Sequence, residues 1–368
     1  MRGQRNLAVQ GLRGACVLAI FTFHVLHSRL IPEAPEGSWT ADLLWLFSGL
    51  RFGVEVFFMI SGYVIVQSLQ RHANVGAFLR DRALRIFPLW LPLAIAMLIA
   101  GWFSAQHGGR PPPALEQPAL LLPALAIMAP VLPVPTVHPA QWSLNYELWF
   151  YAMASLAWWL GQRPGVGRRW RIAGWILPAA LFVTLFPRAL FFVPGVLVAL
   201  GEPWLQQRSA WFRYGWLGLP LAWVAWLSTG VDAADLQRTL VDFAREVLGL
   251  AVLLAFLGGA AFFAWLIVGR REAGGLLEHP LMQWLGTISY SFYLVHPIAV
   301  SAVKRGLLPH LPLEGWGAAL ALAAFGLPLA CLCSWATWAL LEVRLRRWLV
   351  ARQSPLSMKL GESPMGGK

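Results

Sequence analysis

The chain has 368 residues, of which 58% are hydrophobic and only 12% charged, with a mean hydropathy of +0.59 and a formal charge of +12. That balance excludes an ordinary water-soluble domain, and a nucleic-acid role fits poorly because the bases are scattered through short segments between long apolar stretches. The three cysteines, Cys16, Cys331 and Cys333, lie in apolar segments and suggest neither a disulfide framework nor a metal site.

The first apolar stretch, GLRGACVLAIFTFHVLHSRL, lacks a small-residue cleavage pattern and leads straight to further apolar runs, so it reads as a retained span over 12–30. It carries Arg13 and His24 inside the apolar run. Eleven residues at ~100° each turn through about 1100°, close to three full turns, so the two side chains share a helix face about 16 Å apart along the axis. The second span, 43–69, contains RFGVEVFFMISGYVI, with Glu55 near its middle, Arg51 one turn before it, and Tyr63. A loop containing the basic cluster Arg80, Arg82 and Arg85 is expected to lead into the third span, 86–104.

Residues 115–141 are apolar but interrupted by six prolines, which remove backbone donors, so this stretch is expected to be re-entrant or to lie on the outer surface. The fourth span, 142–160, opens with QWSLNYELWFY and carries Glu147 in its outer half. Further spans are expected at 172–187, 189–205, 215–230 and 246–269. The ninth, 283–303, carries LGTISYSFYLVHP with Tyr290, Tyr293 and His296, and the last covers 316–341. The expected architecture is thus an all-α polytopic membrane protein of about ten transmembrane helices. It forms one membrane domain over 1–350, with a polar tail over 351–368. Most of the 29 Lys and Arg fall in segments on the N-terminal side of the membrane, which favours both termini in the cytoplasm.

Ionisable residues within spans are costly and mark functional pathways. By rise per residue His24, Glu55, Glu147 and His296 lie within about 6 Å of one depth, near the bilayer centre, and the sequence therefore predicts a shared polar cavity. Arg51 is a candidate partner for Glu55 at i,i+4.

In order and spacing, GLRG followed by His24, FGVEVFFMISGYVI, RALRIFPLW, WSLNYELWFY and LGTISYSFYLVHP resemble the acyltransferase-3 family of integral membrane acyltransferases, from Gly11 to about Arg347. The resemblance implies transfer of an acyl group, usually acetyl, from cytoplasmic acyl-CoA to a hydroxyl of a surface glycan, lipid-linked sugar or antibiotic, in a bacterial inner membrane. It also implies that Arg13 and His24 are needed for activity and that Arg82 and Arg85 belong to the family's basic loop. Three positions depart from its pattern: Trp90 replaces a common tyrosine, Leu148 a frequent second acid, and no proline follows Glu342.

The chemistry of the residues fits. A histidine can deprotonate a sugar hydroxyl attacking a thioester, with Glu147 or Glu55 orienting the ring. Arginine binds phosphate bidentately, which suits Arg82 and Arg85 to the nucleotide of CoA. The expected catalytic set is His24, Arg13, Glu147 and Glu55, and the donor-binding set is Arg82, Arg85, Arg13 and Tyr63. Acyl-CoA, a glycan or lipid-linked sugar, and membrane lipid are the expected partners, with no metal and no nucleic acid. The rival reading is a proton-coupled transporter or flippase that uses Arg13, His24 and Glu147 as an intramembrane relay.

Overall fold

A computed structural model describes residues 6–32, 35–107, 112–127, 135–162, 167–185, 187–229, 249–269 and 275–352. The structure is all-α, with no strand among the described residues. Its principal helices are α1 (Leu7–Leu26), α2 (Trp39–Ser48), α3 (Gly53–Arg71), α4 (Val75–Gln106), α5 (Gln141–Gly161), α6 (Arg168–Leu185), α7 (Phe192–Gln206), α8 (Gly218–Leu227), α9 (Leu250–Ala264), α10 (Pro280–Ala302) and α11 (Gly315–Thr337). Six helical segments among the described residues are long and apolar enough to cross a membrane: those at Leu7–Leu26, Trp39–Arg71, Val75–Gln106, Pro187–Gln206, Leu250–Gly269 and Gly315–Arg352. Among the described residues of the expected spans at 142–160, 172–187, 215–230 and 283–303 lie the helices α5, α6, α8 and α10, which are shorter or more polar. The expected polar tail lies, from residue 353 onward, outside the described residues.

Two boundaries differ from the sequence expectation. The second span is divided into α2 and α3 by a 3-10 turn at Gly49–Phe52. The division falls where Trp223 of α8 fills the space left by the missing side chain of Gly49 and donates its indole N–H to the Leu46 carbonyl at 3.0 Å. The expected basic loop is helical: Asn74 caps α4 by accepting the Ala77 amide at 2.8 Å, so Arg80, Arg82 and Arg85 project from the first turns of a helix.

The proline-rich connection forms only short turns, at Pro113–Glu116, Pro118–Leu120 and Leu121–Leu125, with residues 128–134 outside the described set. Buried side chains satisfy its backbone. Trp90 donates its indole N–H to the Leu125 carbonyl (2.8 Å), which gives this departure from the family pattern a structural role. Gln141 accepts the Val137 amide (2.7 Å) and donates to the Ala124 carbonyl (3.0 Å). His138 accepts the Ala140 amide on Nδ1 (2.9 Å), which leaves Nε2–H to donate to the Leu294 carbonyl of α10 (2.8 Å).

At the centre α1 lies against α10. Gly14 and Gly286 permit this: a methyl group at Gly14 would strike the Met282 carbonyl, and one at Gly286 would strike the Gln10 carbonyl. Small residues allow membrane helices such close approach, which compensates for the weak hydrophobic drive between helices in lipid. The Gln10 side chain then reaches Thr287 at 2.9 Å, and Phe21 meets Phe292 edge-on at 6.1 Å. Packed among these helices, α10 carries polar residues that meet α1, α4, α5 and the extension of the last helix.

Replacing Gly286 with Val should lower the thermal-unfolding midpoint of the detergent-solubilised protein, because overpacking costs about 1–3 kcal/mol. Gly306→Ala, where an added methyl group meets nothing within 4 Å, should leave the midpoint in place. Equal melting of Gly286→Val and the parent protein would contradict the close approach.

Candidate active site

A narrow cavity of about 80 Å³ runs between α1, α3, α4, α5 and α10. Arg13, Arg82, Arg85, Glu147, Tyr151, Tyr290 and Tyr293 supply its ionisable lining. Arg13 projects from α1 and donates through Nε to the Ser289 hydroxyl at 3.1 Å. One turn apart on α5, Tyr151 donates to Oε1 of Glu147, and Ser61 of α3 donates to the same oxygen at 3.4 Å. Tyr290 donates to the Ile86 carbonyl at 3.0 Å, which holds α10 against α4.

Arg13 and Arg85 also face a wider vestibule of about 800 Å³ at the end of the bundle where α1 begins and the extension of α11 ends. Both described ends of the chain therefore share one end of the bundle. Glu342, on that extension, lines the vestibule and accepts a hydrogen bond from Ser291. Arg82 donates to Asp81 at 2.5 Å, and the other oxygen of Asp81 accepts from Arg346 at 2.5 Å.

His24 lies elsewhere, in an outer chamber of about 130 Å³ together with Arg51, Trp142, Arg188, Tyr293 and His296. Pro139 and Ala140 of the proline-rich connection form part of its wall. The His24 and His296 rings are 5.2 Å apart, and the His296 Nδ1 is 2.9 Å from the Phe292 carbonyl. That bond makes Nδ1 the donor and leaves Nε2 as the free acceptor. Val54 and Tyr293 line both the inner cavity and the outer chamber and stand between them.

The four ionisable groups predicted at one depth are therefore not in one cavity. Glu147 is in the inner cavity, His24 and His296 are in the outer chamber, and no carboxylate is among that chamber's described lining residues. Glu55 is 0% exposed and lines neither space. Its Oε1 accepts two hydrogen bonds from Arg188, one from Nε at 2.6 Å and one from the adjoining terminal nitrogen. Arg188 is 8% exposed, and its guanidinium lies 4.4 Å from the Trp142 ring centroid and 5.6 Å from that of Trp226. Desolvated cation–π contacts of this kind contribute about 2 kcal/mol. The sequence offered Arg51 as the partner of Glu55. The structure supplies Arg188, which is separated from it by 133 residues.

Tyr63, grouped by sequence with the donor arginines, faces another way. Its hydroxyl donates to Glu202 of α7 at 3.0 Å, and it lines neither the inner cavity nor the vestibule. Sequence reasoning missed Arg188, Tyr151, Ser289 and the placement of Glu342. The only available signal was the helical i,i+4 spacing of Glu147 and Tyr151.

An all-α membrane bundle with an arginine-lined passage at one end and a histidine chamber toward the other defines a protein that handles a polar group inside the membrane. The chain belongs to the acyltransferase-3 family, whose model, an acyltransferase domain, matches residues 6–338. It is 28% identical over 319 residues to acyltransferase MdmB of Streptomyces mycarofaciens, covering 78% of this chain and 77% of that protein. It is 31% identical over 278 residues to the exopolysaccharide production protein ExoZ of Rhizobium meliloti strain 1021, covering 69% and 78%. With nodulation protein 10 of Rhizobium leguminosarum bv. viciae it shares 25% identity over 394 residues, covering 95% and 96%. No solved structure matches the chain.

Removing one member of the Glu55–Arg188 pair leaves the other charge buried, at a cost of about 3–5 kcal/mol. Arg188→Met should therefore lower the melting midpoint sharply, and adding Glu55→Gln should restore part of it. A single variant as stable as the parent would show that the pair is not holding the chamber wall.

Proposed function

We propose that the protein is a membrane O-acyltransferase that moves an acetyl or other short acyl group from acyl-CoA to a sugar hydroxyl of a cell-surface or exported glycan. The observation that carries this reading is the continuity along α1. Arg13 lines both the vestibule and the inner cavity, and His24, about 16 Å further along the same helix, lines the outer chamber. An extended pantetheine arm spans roughly that distance. Family membership favours the enzyme over a transporter relay, and the names of the relatives supply acyl transfer and exopolysaccharide production. The arginine excess at the vestibule end favours the cytoplasmic side of a bacterial inner membrane for that end, so donor and acceptor approach from opposite sides.

In this reading Arg85 and Arg13 guide the donor, with Arg82 beside them held by Asp81. Glu147, fixed by Tyr151 and Ser61, balances charge in the inner cavity. The sugar hydroxyl gives its proton to the His24 imidazole as its oxygen attacks the thioester carbonyl carbon. The tetrahedral intermediate collapses, the C–S bond breaks, and the CoA sulfur takes up the proton from the imidazolium. General-base assistance of this kind is worth about 10²–10⁴-fold. Glu55 acts through Arg188, which it fixes in the chamber wall against the Trp142 ring.

His24→Ala should reduce acyl transfer by about 10²–10⁴-fold while CoA binding persists, as measured with purified protein and radiolabelled acyl-CoA. Near-normal transfer by the folded variant would remove His24 from the mechanism. Arg85→Ala should raise the KM for acyl-CoA about tenfold, the loss of one charge-assisted contact, and should raise it less for an acyl-pantetheine. Mass spectrometry of surface glycans with and without the protein should reveal an ester-linked acyl group that depends on it. Identical glycans would overturn the acceptor assignment.

A further inference from the structure

The last helix continues beyond its apolar span. After Thr337 it adopts a π-helical run at Trp338–Leu345 and then remains helical to residue 352. Each π-type turn holds an extra residue and so rotates the next turns of the helix relative to an α-helical register, and such turns are concentrated at functional sites. On this extension Glu342 accepts from Ser291 of α10, and Arg346 donates to Asp81 near the start of α4. The extension is thereby docked beside the α4 arginines. It forms one wall of the vestibule, with Arg346 and Arg347 on the same surface as Arg13 and Arg85. Four guanidiniums line this concave surface, with Glu342 the one carboxylate among its described lining residues. Both extension arginines lie beyond residue 338, where the family match ends.

We infer that Arg347 binds phosphate and, together with Arg85, holds the phosphorylated nucleotide end of the acyl donor. The inference rests on the acyl-CoA reading and adds the place where the nucleotide docks. Forked guanidiniums suit phosphate oxygens, and a concavity lined by one sign of charge concentrates an anionic ligand. Because the vestibule shares Arg13 and Arg85 with the inner cavity, a nucleotide docked in it leaves the pantetheine arm pointing into the narrow passage. Asp81 divides the arginines by task. It engages Arg82 and Arg346 and fixes the extension in place, while Arg347, exposed on the vestibule surface, faces the ligand.

The same arginines at a membrane boundary could instead hold an anionic lipid headgroup, so the test separates the two. The full chain is reconstituted in nanodiscs of zwitterionic phosphatidylcholine, and binding of CoA and of pantetheine is measured by calorimetry for the parent, Arg347→Ala and Arg347→Lys. Because Arg347 is exposed, its replacement should leave the melting midpoint unchanged. The expected result is an affinity for CoA about tenfold weaker in Arg347→Ala, partial recovery in Arg347→Lys, no change for pantetheine, and competition between adenosine 3′,5′-bisphosphate and CoA in the parent. CoA binding by Arg347→Ala equal to the parent's would overturn the inference and leave the donor reading intact. So would a difference seen only in discs containing anionic phosphatidylglycerol, which would assign the arginine to lipid. Absence of CoA binding by the parent would defeat the donor reading itself, and this inference with it.

Discussion

A charged side chain at membrane depth costs at least ~2.5 kcal/mol unless it meets a partner or a wet cavity, and this bundle is organised around meeting that cost. Glu55 of α3 is joined to Arg188, whose cation is covered by Trp142 and Trp226. Arg13 of α1 is held by Ser289 of α10 in a cavity it shares with Glu147. Asp81 bridges Arg82 on its own helix and Arg346 on the last one. The Glu55–Arg188, Arg13–Ser289 and Asp81–Arg346 contacts join segments remote in sequence, so the charges that make the site costly to bury also fix which segments lie side by side.

Two helices carry most of this arrangement. The close approach of α1 and α10, permitted by Gly14 and Gly286, sets Arg13 beside Ser289 near one end and His24 beside His296 near the other. The same placement frees α10 to be polar. Its Thr287, Ser289, Ser291, Tyr290, Tyr293 and His296 face neighbouring helices or cavities, and this explains why it falls short of the apolarity expected of a lipid-facing span. The proline-rich connection depends on α10 as well, since His138 reaches across to the Leu294 carbonyl.

Features set by local physics were legible in the sequence. Apolar runs of sufficient length marked the helices, and the 100° step placed Arg13 and His24 on one face. The Asn74 cap was present in the sequence too, but a dense basic cluster reads as loop unless the cap is weighed first. What was hidden depended on tertiary placement. The partner of Glu55 is 133 residues away, and the division between α2 and α3 answers to Trp223 in another helix. The expected single cavity failed for a related reason: rise per residue gives depth, which is one coordinate, while packing decides the lateral position that separates Glu147 from His24.

That separation bears on how a thioester can be used at this location. A passage open from end to end would admit water to the activated carbonyl and let ions cross the membrane. Here the arginine-lined inner cavity and the histidine chamber meet only where Val54 and Tyr293 line both. The Tyr293 hydroxyl shares a 2.8 Å hydrogen bond with Ser143 of α5, so the side chain at the junction is itself held in place. In the proposed reaction the acyl group is the one part of the donor that must pass this point. The charged nucleotide stays with the arginines and the sugar stays with His24. Excluding water from the junction strengthens the electrostatic interactions on both sides of it and suppresses hydrolysis. In the proposed reaction Val54 and Tyr293, which line both spaces, would therefore have to keep water from the thioester while letting the acyl group through.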